Sequence, residues 1–293
     1  MQVLKTEGLS KKYGEYFAVN EVSMIINEGD IYGFVGENGA GKTTFIRLVS
    51  NLIKPSGGTF TLFEGKSYNI GAVVETPSLY LYMNAMDNLM AQGKMLGKVD
   101  VERHKELLRL VKLEYLIDSK KKAKDFSLGM KQRLGIAMAL LADPKFLLLD
   151  EPMNGLDPEG VVLMRNLIKT LNEHGITFLI SSHMLSELSK VATRYGFIHQ
   201  GRLIKEITQE ELRKSVTAYT VVHLKDEDIK KALGVFKKAK YEHKQENKDI
   251  LVYNVSLQDI VLLLSKNDIE VKDIRQEMQT IENYYLNLIG GLK

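Results

Sequence analysis

Residues Gly36 to Thr44 read G-E-N-G-A-G-K-T-T. They match the phosphate-binding pattern G-x-x-x-x-G-K-[ST]. Gly36, Gly39 and Gly41 let the backbone curl with its N–H groups turned inward, toward phosphate oxygens. Glu37, Asn38 and Ala40 complete the curve. A helix opening at the end of the loop would present its positive N-terminal end to the same anion. Lys42 supplies a point charge for β- and γ-phosphates, Thr43 a hydroxyl for Mg²⁺, and Thr44 another for phosphate.

Two further groups belong to such chemistry. Phe146-Leu147-Leu148-Leu149 is an apolar run ending in Asp150 and Glu151. At the end of a buried strand Asp150 can help hold Mg²⁺. Glu151 would lie at the C-terminal sheet edge, where open α/β sheets bind ligands, and could accept a proton from the attacking water. His183 follows a second such run, Phe178-Leu179-Ile180-Ser181-Ser182, and its place at the same edge points to the γ-phosphate. Alone, the two acids would read as surface residues capping a strand and the histidine as a structural one. With the loop upstream they read as an NTPase site.

These groups need a scaffold. Ile31 to Val35 is expected as the strand before the loop, and Gly41 to Leu52 as the helix after it, ended by Pro55-Ser56-Gly57-Gly58. Val3 to Leu9, Ser23 to Ile26 and Thr59 to Leu62 have strand character. Met83 to Asp125 has helical periodicity, with Leu107, Leu108, Leu110 and Val111 toward one face. Phe146 to Leu149, a helix over Val161 to Glu173 and Thr177 to Ile180 alternate as in a parallel α/β sheet. Beyond Lys214 the pattern changes. Strands over Ala218 to Leu224, Tyr241 to Gln245, Asp249 to Val255 and Ile269 to Ile274 enclose helices over Ile229 to Lys238 and Leu257 to Leu264. That order, βαββαβ, is ferredoxin-like, with a last helix over Met278 to Leu288.

The segment Phe126-Ser127-Leu128-Gly129-Met130-Lys131-Gln132-Arg133 makes the reading more specific. It resembles the L-S-G-G-Q signature of the ATP-binding cassette family, keeping the serine, the second glycine and the following Gln-Arg. Met153-Asn154-Gly155-Leu156-Asp157 resembles the family's D-loop, Ser182-His183 its switch histidine, and Tyr13 in Lys11-Lys12-Tyr13-Gly14 the aromatic that stacks on adenine. The motifs stand in the family's order from Met1 to about Glu210. The resemblance implies a P-loop NTPase fold of class α/β: a RecA-like core, an N-terminal antiparallel β subdomain and a helical signature subdomain over about 83–142. The nucleotide-binding domain is expected over 1–214 and an accessory α+β unit over 215–293. The resemblance also implies ATP and Mg²⁺ as ligands and a head-to-tail pair of cassettes, homodimeric or heterodimeric. Ser127 and Gly129 would then serve the partner's nucleotide.

Where the family usually has Gln after the strand entering the helical region, this chain has Glu75, in Ile70-Gly71-Ala72-Val73-Val74-Glu75-Thr76-Pro77. Such a carboxylate could join Mg²⁺ or hold water beside the γ-phosphate. The family contains a branch with this glutamate, in exporters for bacitracin-like and lantibiotic peptides and related uncharacterised exporters, so the resemblance implies export through a separate polytopic permease, with antimicrobial peptides or other amphiphiles as one expected cargo and an unidentified cargo as the other. The alternative is a soluble cassette ATPase acting on a macromolecular complex; a single P-loop and a short helical region weigh against ribosomal and DNA-repair types.

The whole-chain properties agree. The net charge of +3 over 293 residues does not call for nucleic acid. The absence of cysteine excludes disulfides and thiolate metal sites. Met1 to Glu7 lacks a signal-type apolar run. The most apolar stretch, Ile136 to Ala142, is far short of the ~20 residues that span a bilayer. A cytoplasmic subunit, peripheral on the inner face of the membrane, is expected. Met83, Met86, Met90 and Met95 read as helix packing. Phe60, Phe63, Tyr80 and Tyr82 read either as half-buried packing or as a surface near the permease. Lys120, Lys121, Lys122 and Lys124 read as a solvated helix end, with lipid or permease contact as the alternative.

Overall fold

The computed structural model describes residues 1–215, 218–278 and 281–290. They form two compact units, Met1–Gln209 and Glu210–Lys293. The division falls five residues before the expected one, because the short helix that carries the expected boundary belongs mostly to the second unit.

In the first unit β1 (Gln2–Tyr13) and β2 (Tyr16–Asn27) form a hairpin, turned at Gly14 with φ 57. A central strand, β3 (Ile31–Val35), leads through the glycine-rich loop into α1 (Lys42–Val49). β4 (Gly57–Leu62) returns beside β1, completing an antiparallel sheet ordered β2-β1-β4. Helix α1 ends at Val49, earlier than Leu52, because Asn51 turns left-handed (φ 60) and the N–H groups of Leu52 and Ile53 both fold back to Arg47 O. Gly57 and Gly58, expected as helix breakers, are strand residues.

After β5 (Ile70–Val73) come three helices: α2 (Ala85–Met95), α3 (Val101–Leu110) and α4 (Leu128–Leu140). Each is opened by a side chain accepting from its first turn: Asn84, Asp100 and Ser127. The chain then alternates β6 (Phe146–Asp150), α5 (Pro158–Glu173), β7 (Thr177–Ser182), α6 (Leu185–Leu188) and β8 (Arg194–His199), and closes on β9 (Arg202–Thr208). The six-stranded sheet runs β5-β6-β7-β3-β8-β9, parallel throughout except for the antiparallel β8–β9 pair. Every residue of β3, β6 and β7 is buried, which is why these strands read as unbroken apolar runs. One core joins the two sheets across α1: Leu4, Val22 and Ile26 of the hairpin, Phe45 and Leu48 of the helix, and Phe34 and Leu148 of the central sheet.

The second unit opens with α7 (Gln209–Ser215, its first residue in the preceding unit). It continues as β10 (Ala218–Leu224), α8 (Ile229–Lys238), β11 (His243–Glu246), β12 (Asp249–Tyr253), α9 (Leu257–Ser265), β13 (Val271–Met278) and α10 (Ile281–Gly290). The sheet order is β11-β12-β10-β13, antiparallel throughout, the split-βαβ arrangement expected from the element order. Val222, Ile250 and Val252 of the sheet pack with Ala232, Phe236, Ile260 and Leu264 of α8 and α9. Of the last helix expected over Met278 to Leu288, positions 279 and 280 lie outside the described residues.

Candidate nucleotide-binding site

The loop between β3 and α1 is held in place from two sides. At Gly41 φ is 106, and a Cβ there would stand 2.1 Å from Ala18 O, so only glycine fits. The N–H of Gly201, in the β8–β9 turn, donates to Ala40 O (3.0 Å), while Asn20 N–H donates to Gly201 O (2.8 Å). Thus β2 and the β8–β9 turn brace the loop together. Sequence reading did not find this support, because nothing in the residues 199–202 marks them as loop partners.

Lys42 is buried at the start of α1. Its ammonium donates to Gly36 O (2.7 Å) and Glu37 O (3.1 Å), and lies 3.2 Å from Glu151 Oε1. Its positive charge is therefore directed into the curl of the loop. Thr43 and Thr44 follow in the first turn of α1, with Gly39 at φ 82 before them. The loop thus gathers Gly36, Glu37, Asn38, Gly39, Ala40 and Gly41 around the head of one helix.

Asp150 ends β6 and is buried. Ser181 of the neighbouring β7 donates its Oγ–H to Asp150 Oδ1 (2.5 Å) and accepts from the Glu151 N–H (2.9 Å). One hydroxyl therefore sets both acids. Glu151 itself stands at φ 48, outside the strand conformation, so its side chain leaves the sheet edge toward the loop. His183 approaches its other oxygen: Nδ1 lies 2.9 Å from Oε2, and the His183 N–H donates to the same atom (3.3 Å). An ionised carboxylate only accepts, so the ring proton in this contact sits on Nδ1. Glu151 Oε1 is buried with no hydrogen bond aimed at it. The arrangement thus brings Lys42, Asp150, Glu151 and His183 together, with the Lys42 ammonium against Oε1 as an ion pair.

Among the described residues no three His, Asp or Glu side chains gather into a metal cage. Mg²⁺ keeps several waters and takes one or two carboxylates with substrate phosphates. The hard oxygens of Thr43 and Asp150 beside the phosphate loop suit such an ion. Glu75, expected beside the metal, stands at φ 58 with Oε1 accepting from Arg47 Nη2 (2.7 Å). Arg47 lies in the last turn of α1, and the pair lines a cavity of about 530 Å³ between α1, β5 and α4, whose wall includes Pro77 and Gly135. A Cβ at Gly135 would lie 2.5 Å from Pro77 Cβ, so the glycine lets the Glu75 loop close on α4.

Tyr13, at the tip of the β1–β2 hairpin, is half exposed with Lys11 Nζ 5.2 Å from its ring centre. Opposite it in register stands Tyr16, whose hydroxyl donates to Gly39 O (3.4 Å). Tyr16, Ser181 and Arg47 are site residues that the motifs do not mark. Ser127 caps α4, its Oγ accepting from Met130 N–H (3.3 Å). Gly129 O accepts from Arg133 Nε (3.2 Å), and Arg133 also donates to Val111 O and Lys112 O, fixing the head of α4 to the end of α3. Leu156 is the nearest neighbour a Gly129 Cβ would meet, at 3.6 Å, an ordinary contact. Among the described residues nothing requires glycine there.

Similarity to known proteins agrees with this geometry. The ABC transporter family profile matches residues 19–154. A bacitracin transport ATP-binding protein of Bacillus licheniformis is 40% identical over 99% of this chain and 98% of its own length. A lantibiotic transport ATP-binding protein of Streptococcus pyogenes is 41% identical over 70% of this chain and 90% of its own. Among solved structures, a nucleotide-free ATP-binding cassette from an ABC transporter superposes with a TM-score of 0.66 at 27% identity, covering 73% of this chain and 94% of that one. A dimeric cassette in a post-hydrolysis state with ADP and Pi gives 0.62 at 25% identity, covering 70% and 98%. With a phosphate loop, an acid pair at the adjoining sheet edge and a relative 40% identical over 99% of its length, the chain belongs to the ABC transporter family as an ATP-binding, ATP-hydrolysing subunit.

Proposed function

We propose that two copies of this chain, or this chain and a related one, pair head to tail and power export of antimicrobial peptides or other amphiphiles through a separate polytopic permease. The bacitracin and lantibiotic relatives support the cargo class. Among the described residues no helix is long and apolar enough to cross a membrane, so the transport path is assigned to another subunit, with this one on the inner face. The single observation that carries the catalytic reading is Glu151, set between Lys42 on Oε1 and His183 on Oε2 at the edge of the phosphate loop.

In this reading Lys42, the loop N–H groups and Thr44 hold the β- and γ-phosphates, and Tyr13 stacks on adenine. Mg²⁺, held by Thr43 and Asp150, would neutralise charge on the phosphate oxygens. Water attacks the γ-phosphorus, the bond to the β,γ-bridging oxygen breaks, and the water proton passes to Glu151; the products are ADP and inorganic phosphate. His183 orients Glu151 and then meets the γ-phosphate. Glu75, paired with Arg47 at the α1 end, links the γ-phosphate site to the groove toward the permease. Ser127 and Gly129 serve the partner's nucleotide. The free space at Gly129 and the exposed head of α4 support that assignment.

Glu151→Gln tests the catalytic reading. ATP binding should persist, hydrolysis should fall by at least ~100-fold, and ATP should drive dimerisation visible by sedimentation. Hydrolysis near the wild-type rate would remove Glu151 from the role of base. A Glu151→Gln chain that remains monomeric at saturating ATP, alone and with its permease, would overturn the paired arrangement.

A further inference from the structure

Lys120, Lys121, Lys122 and Lys124 are all exposed, and they lie on irregular backbone running into a 3₁₀ turn at Ala123–Asp125, not on the helix end expected. Ala123 is fully buried and fixes the backbone while the lysines around it face solvent. Among the described residues none of the four is ion-paired; Lys121 lies 6.0 Å from the Phe126 ring centre. Two carboxylates share the stretch, Asp118 and Asp125, so the lysines outnumber them two to one.

The same backbone is tied to a second segment. Ala123 N–H donates to Met83 O (2.8 Å) and Lys124 N–H donates to Leu81 O (2.9 Å). Leu81 and Tyr82 are 51% and 68% exposed, with Tyr80 edge-on to Tyr82. A net excess of lysines and large exposed apolar side chains are thereby held within one patch. No step of ATP binding or hydrolysis uses any of them.

Each half of the patch has a different natural partner, and an anionic lipid surface satisfies both. Lysine ammonium groups on long stems are drawn to anionic headgroups. Leucine and tyrosine beside them gain by entering the headgroup zone, where amphipathic rings accumulate. A folded acidic protein surface would be matched better by arginine, whose planar fork pairs with carboxylates in a fixed geometry. Residues 118–125 contain no arginine. We propose that this patch binds anionic phospholipid headgroups directly, giving the subunit its own contact with the membrane surface. The proposal does not depend on the cargo or on the permease.

The test uses the full-length chain and vesicles of phosphatidylcholine with or without phosphatidylglycerol, read by co-sedimentation across a salt series. The wild-type chain should bind the anionic vesicles, and binding should weaken with salt. Each Lys→Gln change among the four should lower the affinity about five-fold. Leu81→Ser with Tyr82→Ser should lower it further at high salt, where charge is screened. Thermal unfolding and ATP turnover of the soluble chain should remain at wild-type values, separating lost binding from lost folding. Equal binding of anionic vesicles by wild type and the four-lysine variant would overturn the proposal. So would absence of vesicle binding by the wild-type chain; loss of permease capture in the variant would then assign the patch to a protein partner.

Discussion

Ser181→Ala should damage both stability and turnover, and the structure sets the scale. The Ser181 hydroxyl is fully buried, donates to the Asp150 carboxylate at 2.5 Å and receives the Glu151 N–H at 2.9 Å. A hydrogen bond to a charged group contributes about 1.5–3 kcal/mol, and leaving a buried donor orphaned costs about 1–3 kcal/mol more. Solvent relaxation at the open sheet edge lowers the sum, so a net loss of about 3 kcal/mol is expected. At about 2–4 °C per kcal/mol for a unit of this size, the unfolding midpoint should fall roughly 6–12 °C. Ser181→Cys leaves no cavity and only a weak donor, so it separates the hydrogen bond from the lost volume. Thermal unfolding without nucleotide measures the first effect. Steady-state ATP turnover measures the second: kcat should fall more than KM rises, because the mutation loosens Glu151 and leaves the loop intact. A midpoint within about 1 °C of wild type with unchanged kcat would refute the reasoning.

The Arg47–Glu75 pair is half exposed, so breaking it should change stability by less than about 1 kcal/mol. Arg47→Ala and Glu75→Ala should instead lower transport in reconstituted vesicles more than ATP affinity, with Glu75→Gln retaining ATPase activity in the isolated subunit; normal transport by both alanine variants would end the coupling role. A chain ending at Gln209 should still bind ATP if folded, with altered dimer stability by sedimentation, since the nucleotide-site residues lie before that point; a folded truncation without nucleotide binding would contradict this. Burial, then the bond to Glu277, pushes the Tyr219 hydroxyl up to about 12 from 10.0. Folding therefore favours the neutral phenol, so this contribution to stability is complete below pH 10 and is lost as pH rises through 12. Ultraviolet titration should show late-ionising tyrosines, among them Tyr219 and the deeply buried Tyr32, and Glu277→Gln should bring the Tyr219 step alone earlier.

The parts of the fold legible in the sequence are those with one dominant cause. β3, β6 and β7 are buried on both faces, so apolar runs alone delimit them closely. The element order after Lys214 came through because the β10 and α8 bounds and their turns are locally marked. Contacts made across the chain were not legible. Ser181 reads as one more residue in an apolar strand, and its bond to Asp150 exists only because β6 and β7 are neighbours. The end of α1 was misplaced because a left-handed asparagine stopped the helix before any proline or glycine. β8 and β9 went unmarked although their turn holds the phosphate loop. Glu75 was recognised from its position in a motif, but its partner Arg47 is set by the packing of α1 against β5 and the following loop.

Helix α1 has only eight residues, with Lys42 at its first position and Arg47 at its sixth. The two side chains are therefore about 7–8 Å apart along the axis. Both flanks of the helix are clamped, by the hairpin sheet on one side and the central sheet on the other. So short and tightly held a rod has no room to bend or change register. If an arriving phosphate draws Lys42 off the Gly36 and Glu37 carbonyls and moves the head of the helix, the tail must move with it. The Glu75 groove would receive that displacement as a rigid-body shift, with no intermediate relay to tune it. Amplitude would then be set by the loop at one end, and sensitivity by the grip of Arg47 on Glu75 at the other.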